Sequence, residues 1–237
     1  MERLNTTRIE PAEPLPLETE PGTVLLCIGE AGCGKTELAL NMSLSLRETG
    51  RRVRLFDMDA TKSAFRSRDM EPLLRKRGVE LHRSRALLDS PTVPDGLPEA
   101  LDDCEAYTVL DVGGSYAGTL CLGQFRDKLR AGQVKTLYLF NPYRVFGRSA
   151  EEIRSIRSLI ESVVGVSEVG LVCNPTLGEE TGEGVWYEGM RLIERYFPGE
   201  TPALALAPTG LEVECEHCPV FLIRRWMPTL LNGKEMN

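Results

Sequence analysis

Gly29-Glu30-Ala31-Gly32-Cys33-Gly34-Lys35-Thr36 is the stretch of sequence that decides the fold. One glycine, four further residues and then Gly-Lys-Thr is the spacing of a loop that wraps a phosphate chain. Glycines let consecutive backbone N–H groups turn inward around the phosphates, because a Cβ there would clash or force an unfavourable φ. The stretch therefore predicts a site for a nucleoside phosphate.

The polar side chains of this loop have separate predicted roles. Lys35 is a candidate catalytic residue, since its ammonium lies near the β- and γ-phosphates, and the Thr36 hydroxyl can ligate Mg²⁺. The phosphates would lie at the N-terminus of the next helix, where unpaired N–H groups and the helix dipole favour negative charge. A thiol at Cys33 predicts that alkylation weakens nucleotide binding. The candidate nucleotide ligands are Gly29, Gly32, Cys33, Gly34, Lys35, Thr36 and Glu37.

The segments that flank the loop support this interpretation. Residues 23–28, Thr-Val-Leu-Leu-Cys-Ile, form a continuous apolar run that predicts a buried parallel strand. After the loop, Leu38, Met42 and Leu46 recur at helical spacing until Gly50 supplies a stop signal. A strand, a glycine loop and a helix are the setting that the motif requires, which disfavours a glycine-rich turn that binds nothing.

Composition limits the class of protein. A chain of 237 residues can bury the core of one α/β domain, and its fractions of 42% hydrophobic and 27% charged residues are those of a soluble globular protein. The net charge of −7 argues against a generally basic nucleic-acid surface. We see no signal peptide and no bilayer-spanning apolar run. The seven cysteines are therefore expected to be reduced thiols or metal ligands of a cytoplasmic protein.

The chain divides into a short arm and one domain. Residues 1–22 contain four prolines among several glutamates, and proline blocks helix formation, so we expect an extended arm. This arm either lies along the domain or a partner, or is a mobile tail. Residues 23–237 are predicted to form one nucleotide-binding domain that includes the C-terminal tail.

Apolar runs alternate with helical patterns along the domain, which predicts a doubly wound, mainly parallel sheet in a Rossmann-like three-layer α/β/α fold. The basic run at 61–85 is interpreted as a solvated helix face. Further strands are predicted at 52–57, 107–111, 134–140, 169–173 and 202–206, and the last of these is expected to complete the sheet. Helices are predicted near 98–104, 116–130 and 184–197. Another helix is predicted to begin at a capping box, Ser149-Ala150-Glu151-Glu152.

The second predicted strand, 52–57, is followed at once by Met58-Asp59. With this Asp-x-Asp ending soon after the phosphate-loop helix, the chain resembles the MinD/ParA-type P-loop ATPases of the SIMIBI class, which include the nitrogenase iron protein and several metal-centre maturation factors. The resemblance extends from Thr23 to about Pro208. It implies that Asp59 orients or activates the attacking water and that 60–69 is the first switch, although Asp59 is also a good turn cap.

Carboxylates at strand ends near the phosphate loop are candidate Mg²⁺ ligands. Tyr107-Thr108-Val109-Leu110-Asp111 is an apolar run that ends in an acid and is followed by Val112-Gly113-Gly114, which fits a Walker-B strand with a second switch. By the resemblance, Asp111 holds Mg²⁺ through water and the Gly114 N–H binds the γ-phosphate. Thr36 and Asp57 complete the predicted Mg²⁺ set.

Asn174 follows the predicted strand at 169–173 and precedes a proline. In the resembling family an asparagine at this strand end reads the adenine edge, so Asn174 is the candidate for base recognition. An asparagine before proline is equally suited to a turn. Both roles stay open.

Glu30 departs from the family pattern, because typical members carry a second lysine here that reaches the partner's nucleotide in a dimer. An acid cannot stabilise phosphate charge. We therefore expect either that cross-dimer catalysis is absent or that another cation supplies the charge. Arg66 or Arg68 in the first switch, or with less support Arg144, is the candidate, since a guanidinium fork spans two phosphoryl oxygens.

Cys215-Glu216-His217-Cys218 is the second departure. One Cys-x-x-Cys supplies two soft ligands, and two copies in a symmetric dimer would complete a site for Zn²⁺ or an iron–sulfur cluster. Unliganded thiols are the alternative. The apolar tail at 221–231 either packs against the domain or forms an amphipathic helix that contacts a membrane, although Pro228 would interrupt such a helix.

These features together predict an ATP-binding switch that forms a homodimer, hydrolyses Mg²⁺–ATP slowly, and assists a metallo-enzyme or positions another protein partner. A metabolic kinase or amidoligase with a small-molecule acceptor is a second expectation. A third is a protein that keeps the nucleotide without turnover, which the acid at Glu30 favours.

Overall fold

The computed structural model describes residues 11–58, 70–83, 93–113, 119–145, 147–165 and 169–226. Its strands are β1 (Val24–Gly29), β2 (Val53–Met58), β3 (Val79–Arg83), β4 (Tyr107–Val112), β5 (Val134–Phe140), β6 (Val169–Cys173), β7 (Leu204–Pro208) and β8 (Val220–Ile223). Its α-helices are α1 (Lys35–Glu48), α2 (Glu71–Arg77), α3 (Leu97–Asp102), α4 (Arg126–Ala131), α5 (Ala150–Val164) and α6 (Glu183–Tyr196).

The strands form a single eight-stranded sheet in the order β3-β2-β4-β1-β5-β6-β7-β8, and every pair is parallel. The β1 strand lies between β4 and β5, so the chain first builds outward on one side of β1 and then on the other. Such a reversal opens a crevice at the carboxyl ends of the central strands, where ligands of this class of sheet bind. The predicted doubly wound parallel fold is confirmed.

Helices cover both faces of the sheet. On one face, apolar residues of α1 and α2, such as Leu38, Met42 and Leu74, are buried against the strands. On the other face, α3 to α6 contribute residues such as Ile153 and Trp186. A parallel sheet has to be covered on both sides because its strands are apolar throughout, and β1 is buried along its whole length. The layers are therefore helix, sheet and helix.

The helix α5 begins at the predicted capping box. The Ser149 side chain accepts a hydrogen bond from the Glu152 N–H at 3.2 Å, and the Glu152 carboxylate accepts one from the Ser149 N–H at 2.7 Å. This reciprocal pair satisfies two N–H groups that the first turn would leave unpaired, and it holds the pKa of the Glu152 carboxyl below its usual value. The cap fixes the chain where it enters α5.

Two strands were missing from the sequence prediction, and 202–206 does not complete the sheet. The basic run contains α2, but Val79–Arg83 form β3 at one sheet edge instead of continuing a helix. At the other edge Val220–Ile223 form β8, which pairs with β7. An amphipathic helix over that part of the tail is therefore wrong. The residues from 227 onward, including Pro228, lie outside the described part of the chain.

Other segments agree with the prediction in part. Residues 11–20 form neither helix nor strand, and Ala12, Leu15 and Leu17 pack against the core, so this part of the arm lies along the domain. The helix predicted near 116–130 is present as a 3₁₀ turn followed by α4. No helix among the described residues has the length and apolar character needed to span a membrane.

Candidate nucleotide-binding site

The phosphate loop joins β1 to α1 at the carboxyl edge of the sheet, next to the crevice beside β1. Two of its glycines are required by close contacts. A Cβ on Gly29, where φ is 141°, would lie 2.3 Å from the Leu139 carbonyl oxygen. A Cβ on Gly34, where φ is 103°, would lie 2.5 Å from the Asn174 side-chain nitrogen. Both positions therefore exclude larger residues, as the motif predicts.

Lys35 is the first residue of α1 and its side chain is buried, with 2% of the residue exposed. The ammonium donates a hydrogen bond to the Glu30 carbonyl oxygen at 2.8 Å and contacts the Cys33 sulfur at 4.0 Å. The lysine therefore bridges its own loop. An ammonium at the N-terminus of a helix that follows a glycine loop is placed to bind phosphate oxygens.

Thr36 and Asp111 meet at the base of the loop. The Thr36 hydroxyl donates to one Asp111 carboxylate oxygen at 2.7 Å, and the residue Asp111 is only 1% exposed. The second carboxylate oxygen, Oδ1, is buried and has no hydrogen-bond partner among the described residues. Asp57 lies opposite Asp111 in the register of β2 and β4. Two neighbouring strands therefore place carboxylates at the same level of the sheet, and one of these accepts a hydrogen bond from the Thr36 hydroxyl.

This donor set fits Mg²⁺. A hard divalent cation prefers carboxylate and hydroxyl oxygens, and a buried carboxylate oxygen without a partner is costly unless a ligand or water satisfies it. The Thr36 hydroxyl and the Asp111 carboxylate are the groups that would hold the ion, directly or through water. Asp57, on the neighbouring strand, stays a candidate ligand.

Asn174 has a structural role in the described geometry. Its side-chain N–H donates to the Cys33 carbonyl oxygen at 2.6 Å, and its side-chain oxygen accepts from the Thr176 hydroxyl at 2.8 Å. Asn141, at the end of β5, donates to the Thr176 carbonyl oxygen at 3.0 Å. The two asparagines therefore fasten the ends of β5 and β6 to the phosphate loop. Recognition of the base by Asn174 stays a prediction.

Replacing Asn174 with alanine separates these two roles. Because the asparagine holds the Cys33 carbonyl, its loss is expected to loosen the loop and to weaken ATP and GTP binding by the same factor, about tenfold. A residue that reads adenine would instead change the ratio of the two affinities. Calorimetric titration with both nucleotides measures this ratio, and Asn41→Ala, which alters an asparagine of α1 that contacts the C-terminal segment, is the control.

Glu37 follows Thr36 and was predicted to bind nucleotide. Its two carboxylate oxygens accept hydrogen bonds from the Trp226 backbone N–H at 3.1 and 3.0 Å. One turn later, the Asn41 side chain donates to the Arg224 carbonyl oxygen and accepts from the Arg224 N–H, each at 2.8 Å. The segment after β8 is therefore bound to the first two turns of α1. Contact of Glu37 with nucleotide stays a prediction.

Glu30 forms an ion pair with Arg148, which immediately precedes the cap of α5. This arginine carries no local signal in the sequence, since the two residues are 118 positions apart. The Glu30 side chain is 16% exposed, so its carboxylate is directed partly into the protein. Nearby, burial and then the Glu30 charge raise the pKa of Tyr138. The acid at the loop position that differs from the family pattern is therefore paired with a cation of the same chain.

Several predicted residues fall outside the described part of the chain, namely Asp59, Arg66, Arg68 and Gly114. Their catalytic and phosphate-binding roles stay predictions. Arg144 is described, and it lies in a 3₁₀ turn that follows β5. Its role as a cation for a partner's nucleotide also stays a prediction.

Cys215 and Cys218 lie between β7 and β8, with their sulfur atoms 3.1 Å apart. Burial, followed by the hydrogen bond to Cys215, raises the pKa of the Cys218 thiol to about 12. Within the residues that the structure covers, no group of three or more His, Cys, Asp or Glu side chains is arranged to hold a metal ion. One copy of the described chain therefore brings two thiols together but does not complete a metal site.

Comparison with known proteins gives a match to one family profile. The sequence profile of the CobQ/CobB/MinD/ParA nucleotide binding domain matches residues 24–196, which is most of the chain. The matched region starts at β1 and ends with α6, so it contains the phosphate loop and the Thr36–Asp111 pair. No curated protein matches the chain.

Solved structures give a likeness of fold. The cell division protein FtsY of Thermotoga maritima superposes with a TM-score of 0.52 at 17% identity, over 90% of this chain and 68% of that one. A nucleotide-binding protein from Archaeoglobus fulgidus, solved in complex with ADP, has a TM-score of 0.45 at 13% identity, over 75% of this chain and 78% of that one. At these identities the likeness concerns the fold alone, and only the first superposition is close enough to use.

Proposed function

Because the chain belongs to the CobQ/CobB/MinD/ParA nucleotide binding domain family, we propose that it is an ATP-binding molecular switch that dimerises and slowly hydrolyses Mg²⁺–ATP. The observation that carries this proposal is the buried pair of Thr36 and Asp111 beside Lys35. A hydroxyl, a carboxylate with an unsatisfied oxygen and an ammonium converge where the triphosphate tail would lie. A loop that merely turned the chain would have no need of this set.

The residues of this chain divide the work of phosphoryl transfer. The N–H groups of the loop and the N-terminus of α1 orient the phosphates. The Lys35 ammonium would bind the β- and γ-phosphates, because an ammonium binds an anion more strongly than the neutral Glu30 carbonyl that it contacts. Thr36 and Asp111 would hold Mg²⁺. When bound, Mg²⁺ neutralises charge that develops on the phosphoryl oxygens. Asp59 is proposed to orient the attacking water.

The proposed switch function rests on the two segments that the family resemblance places beside the γ-phosphate. Presence or loss of that phosphate would reorder 60–69 and 113–117 and so change the affinity for a second copy or another protein. The partner is proposed to be a metallo-enzyme under assembly or a protein that must be positioned. Glu30 is compatible with slow turnover, because this loop position brings no cation to a partner's nucleotide.

The test is light scattering of the full chain with Mg²⁺ and either ATP or ADP, combined with a phosphate-release assay. We expect the mass to double with ATP and to stay at the monomer value with ADP, and turnover to be slow without any added metabolite. A mass that ignores the nucleotide, together with turnover that requires a small molecule, would favour the kinase or amidoligase. Tight nucleotide retention with no phosphate release would identify a non-hydrolysing protein.

A metal site shared between two copies is a finer proposal that Cys215 and Cys218 support. The two sulfurs lie 3.1 Å apart, so a separation to about 3.8 Å would let both ligate one tetrahedral metal ion, and a second copy would supply two more thiolates. Zinc and iron analysis of anaerobically purified protein tests it. About one zinc or one cluster per dimer, lost in Cys215→Ser but kept in Cys104→Ser, is expected. Cys104 is an exposed free thiol and is therefore the matched control.

A further inference from the structure

Glu30 places a negative charge inside the phosphate loop, where it would repel phosphate, and the structure shows that this charge is paired. Glu30 lies between β1 and α1, and its carbonyl oxygen accepts a hydrogen bond from the Lys35 ammonium at 2.8 Å. Its carboxylate therefore belongs to the loop that surrounds the proposed phosphates. Because the side chain is mostly buried, solvent screens its charge only weakly. Uncompensated, this carboxylate would repel a triphosphate.

Arg148 provides the compensation, and the fold holds it in place. Its guanidinium contacts the Glu30 carboxylate through Nη1. Its backbone N–H donates to the Val145 carbonyl oxygen at 3.1 Å, and its carbonyl oxygen accepts from the Tyr196 hydroxyl at 3.4 Å. The next residue caps α5. The arginine is therefore anchored by elements on the far side of β5, independently of the phosphate loop.

We infer that Arg148 is a positioning residue of the nucleotide site, which acts through Glu30. It neutralises the loop carboxylate and keeps it directed away from the phosphates, so that the loop accepts a triphosphate despite the acid. The inference rests on the proposed function. It makes Glu30 and Arg148 a single unit, since removing only the arginine leaves a buried charge unpaired, whereas removing both charges restores neutrality.

The test is calorimetric titration of the full chain with Mg²⁺–ATP and Mg²⁺–ADP. Arg148→Gln keeps a polar side chain but removes the charge, and it is expected to weaken ATP binding by about tenfold or more. ADP binding should fall by less, because ADP carries less negative charge. The loss for ATP should shrink only slightly in about 1 M salt, because a buried charge is screened much less than an exposed one. A purely structural loss would be the same for both nucleotides.

Rescue distinguishes this role from general damage. The double variant with Glu30→Gln and Arg148→Gln is expected to bind ATP within about threefold of wild type, and Arg148→Lys should also retain binding. Arg191→Gln is the matched control, because it removes the arginine of another Glu–Arg pair, on the exposed surface of α6. Its ATP affinity should not change. Thermal unfolding of each variant checks that the chain is folded.

Three results would overturn the inference. The first is that Arg148→Gln binds ATP as tightly as wild type. The second is that the double variant binds ATP as weakly as Arg148→Gln. The third is that Arg148→Gln loses affinity for ATP and for ADP by the same factor at every salt concentration. If the wild-type chain binds ATP, none of these results contradicts the proposed function. A folded wild-type chain that binds neither nucleotide would overturn both.

Discussion

Replacing Lys35 with alanine is expected to lower ATP hydrolysis by at least about 100-fold and to weaken ATP binding strongly. Lys35 is 2% exposed and its ammonium lies within the loop. Its hydrogen bond to the Glu30 carbonyl oxygen shows that it reaches across the loop. Removing it deletes the positive charge that the β- and γ-phosphates require.

Single-turnover phosphate release and calorimetric titration measure these two effects. Lys128→Ala is the matched control, because Lys128 forms a surface pair with Asp102 far from the loop in sequence and its side chain is 38% exposed. The control should hydrolyse ATP like wild type. Equal rates for Lys35→Ala and wild type would refute the proposed nucleotide site, provided that thermal unfolding shows both chains to be folded.

The centre of the site was predictable because its signals are local. The phosphate loop is a contiguous stretch whose glycines are required by the backbone geometry. The flanking strand and helix are predicted by the spacing of their apolar residues. Asp111 was predictable for a related reason. An apolar run that ends in an acid places the acid at the carboxyl edge of the sheet, where the register of β1 and β4 brings it beside the loop. These features need no knowledge of distant residues.

The two edge strands were harder to predict, because edge strands carry weak signals. β3 alternates between apolar and polar residues over only five positions, and the surrounding arginines and lysines suggest a solvated helix. β8 has four residues and continues into a segment with paired arginines, which suggested a separate tail. In both cases the sheet, rather than local propensity, decides the conformation.

The contacts that tune the site are distant in sequence and were therefore missed. The pairs Glu30–Arg148, Cys33–Asn174 and Glu37–Trp226 are separated by 118, 141 and 189 residues. A single sequence predicts that Glu30 is anomalous but not what compensates it. Likewise, Glu37 was recognised only as a neighbour of Thr36, whereas its carboxylate holds the backbone of the segment after β8. Only the folded arrangement of strand ends brings these partners together.

Replacing Asp111 with asparagine is expected to separate stability from function. The carboxylate is 1% exposed, one of its oxygens accepts from Thr36, and the other has no partner among the described residues. A buried charge with incomplete hydrogen bonding opposes folding, and asparagine keeps the shape without the charge. The nucleotide-free variant should therefore unfold at an equal or higher temperature than wild type, with a gain of up to about 1 kcal/mol.

The same substitution should abolish the benefit of Mg²⁺, because the amide cannot supply the negative charge that holds the ion. We expect hydrolysis to fall by about 100-fold or more and Mg²⁺ no longer to strengthen ATP binding, while binding without Mg²⁺ persists. Thermal unfolding measures the change in stability, and titrations with and without Mg²⁺ measure the effect of the ion on ATP binding. Asp102→Asn, at a carboxylate that is 63% exposed, should leave both unchanged. If ATP binding by Asp111→Asn still depended on Mg²⁺, other residues would hold the ion. A variant that is more stable but inactive would indicate that the buried carboxylate serves catalysis at a cost to folding stability.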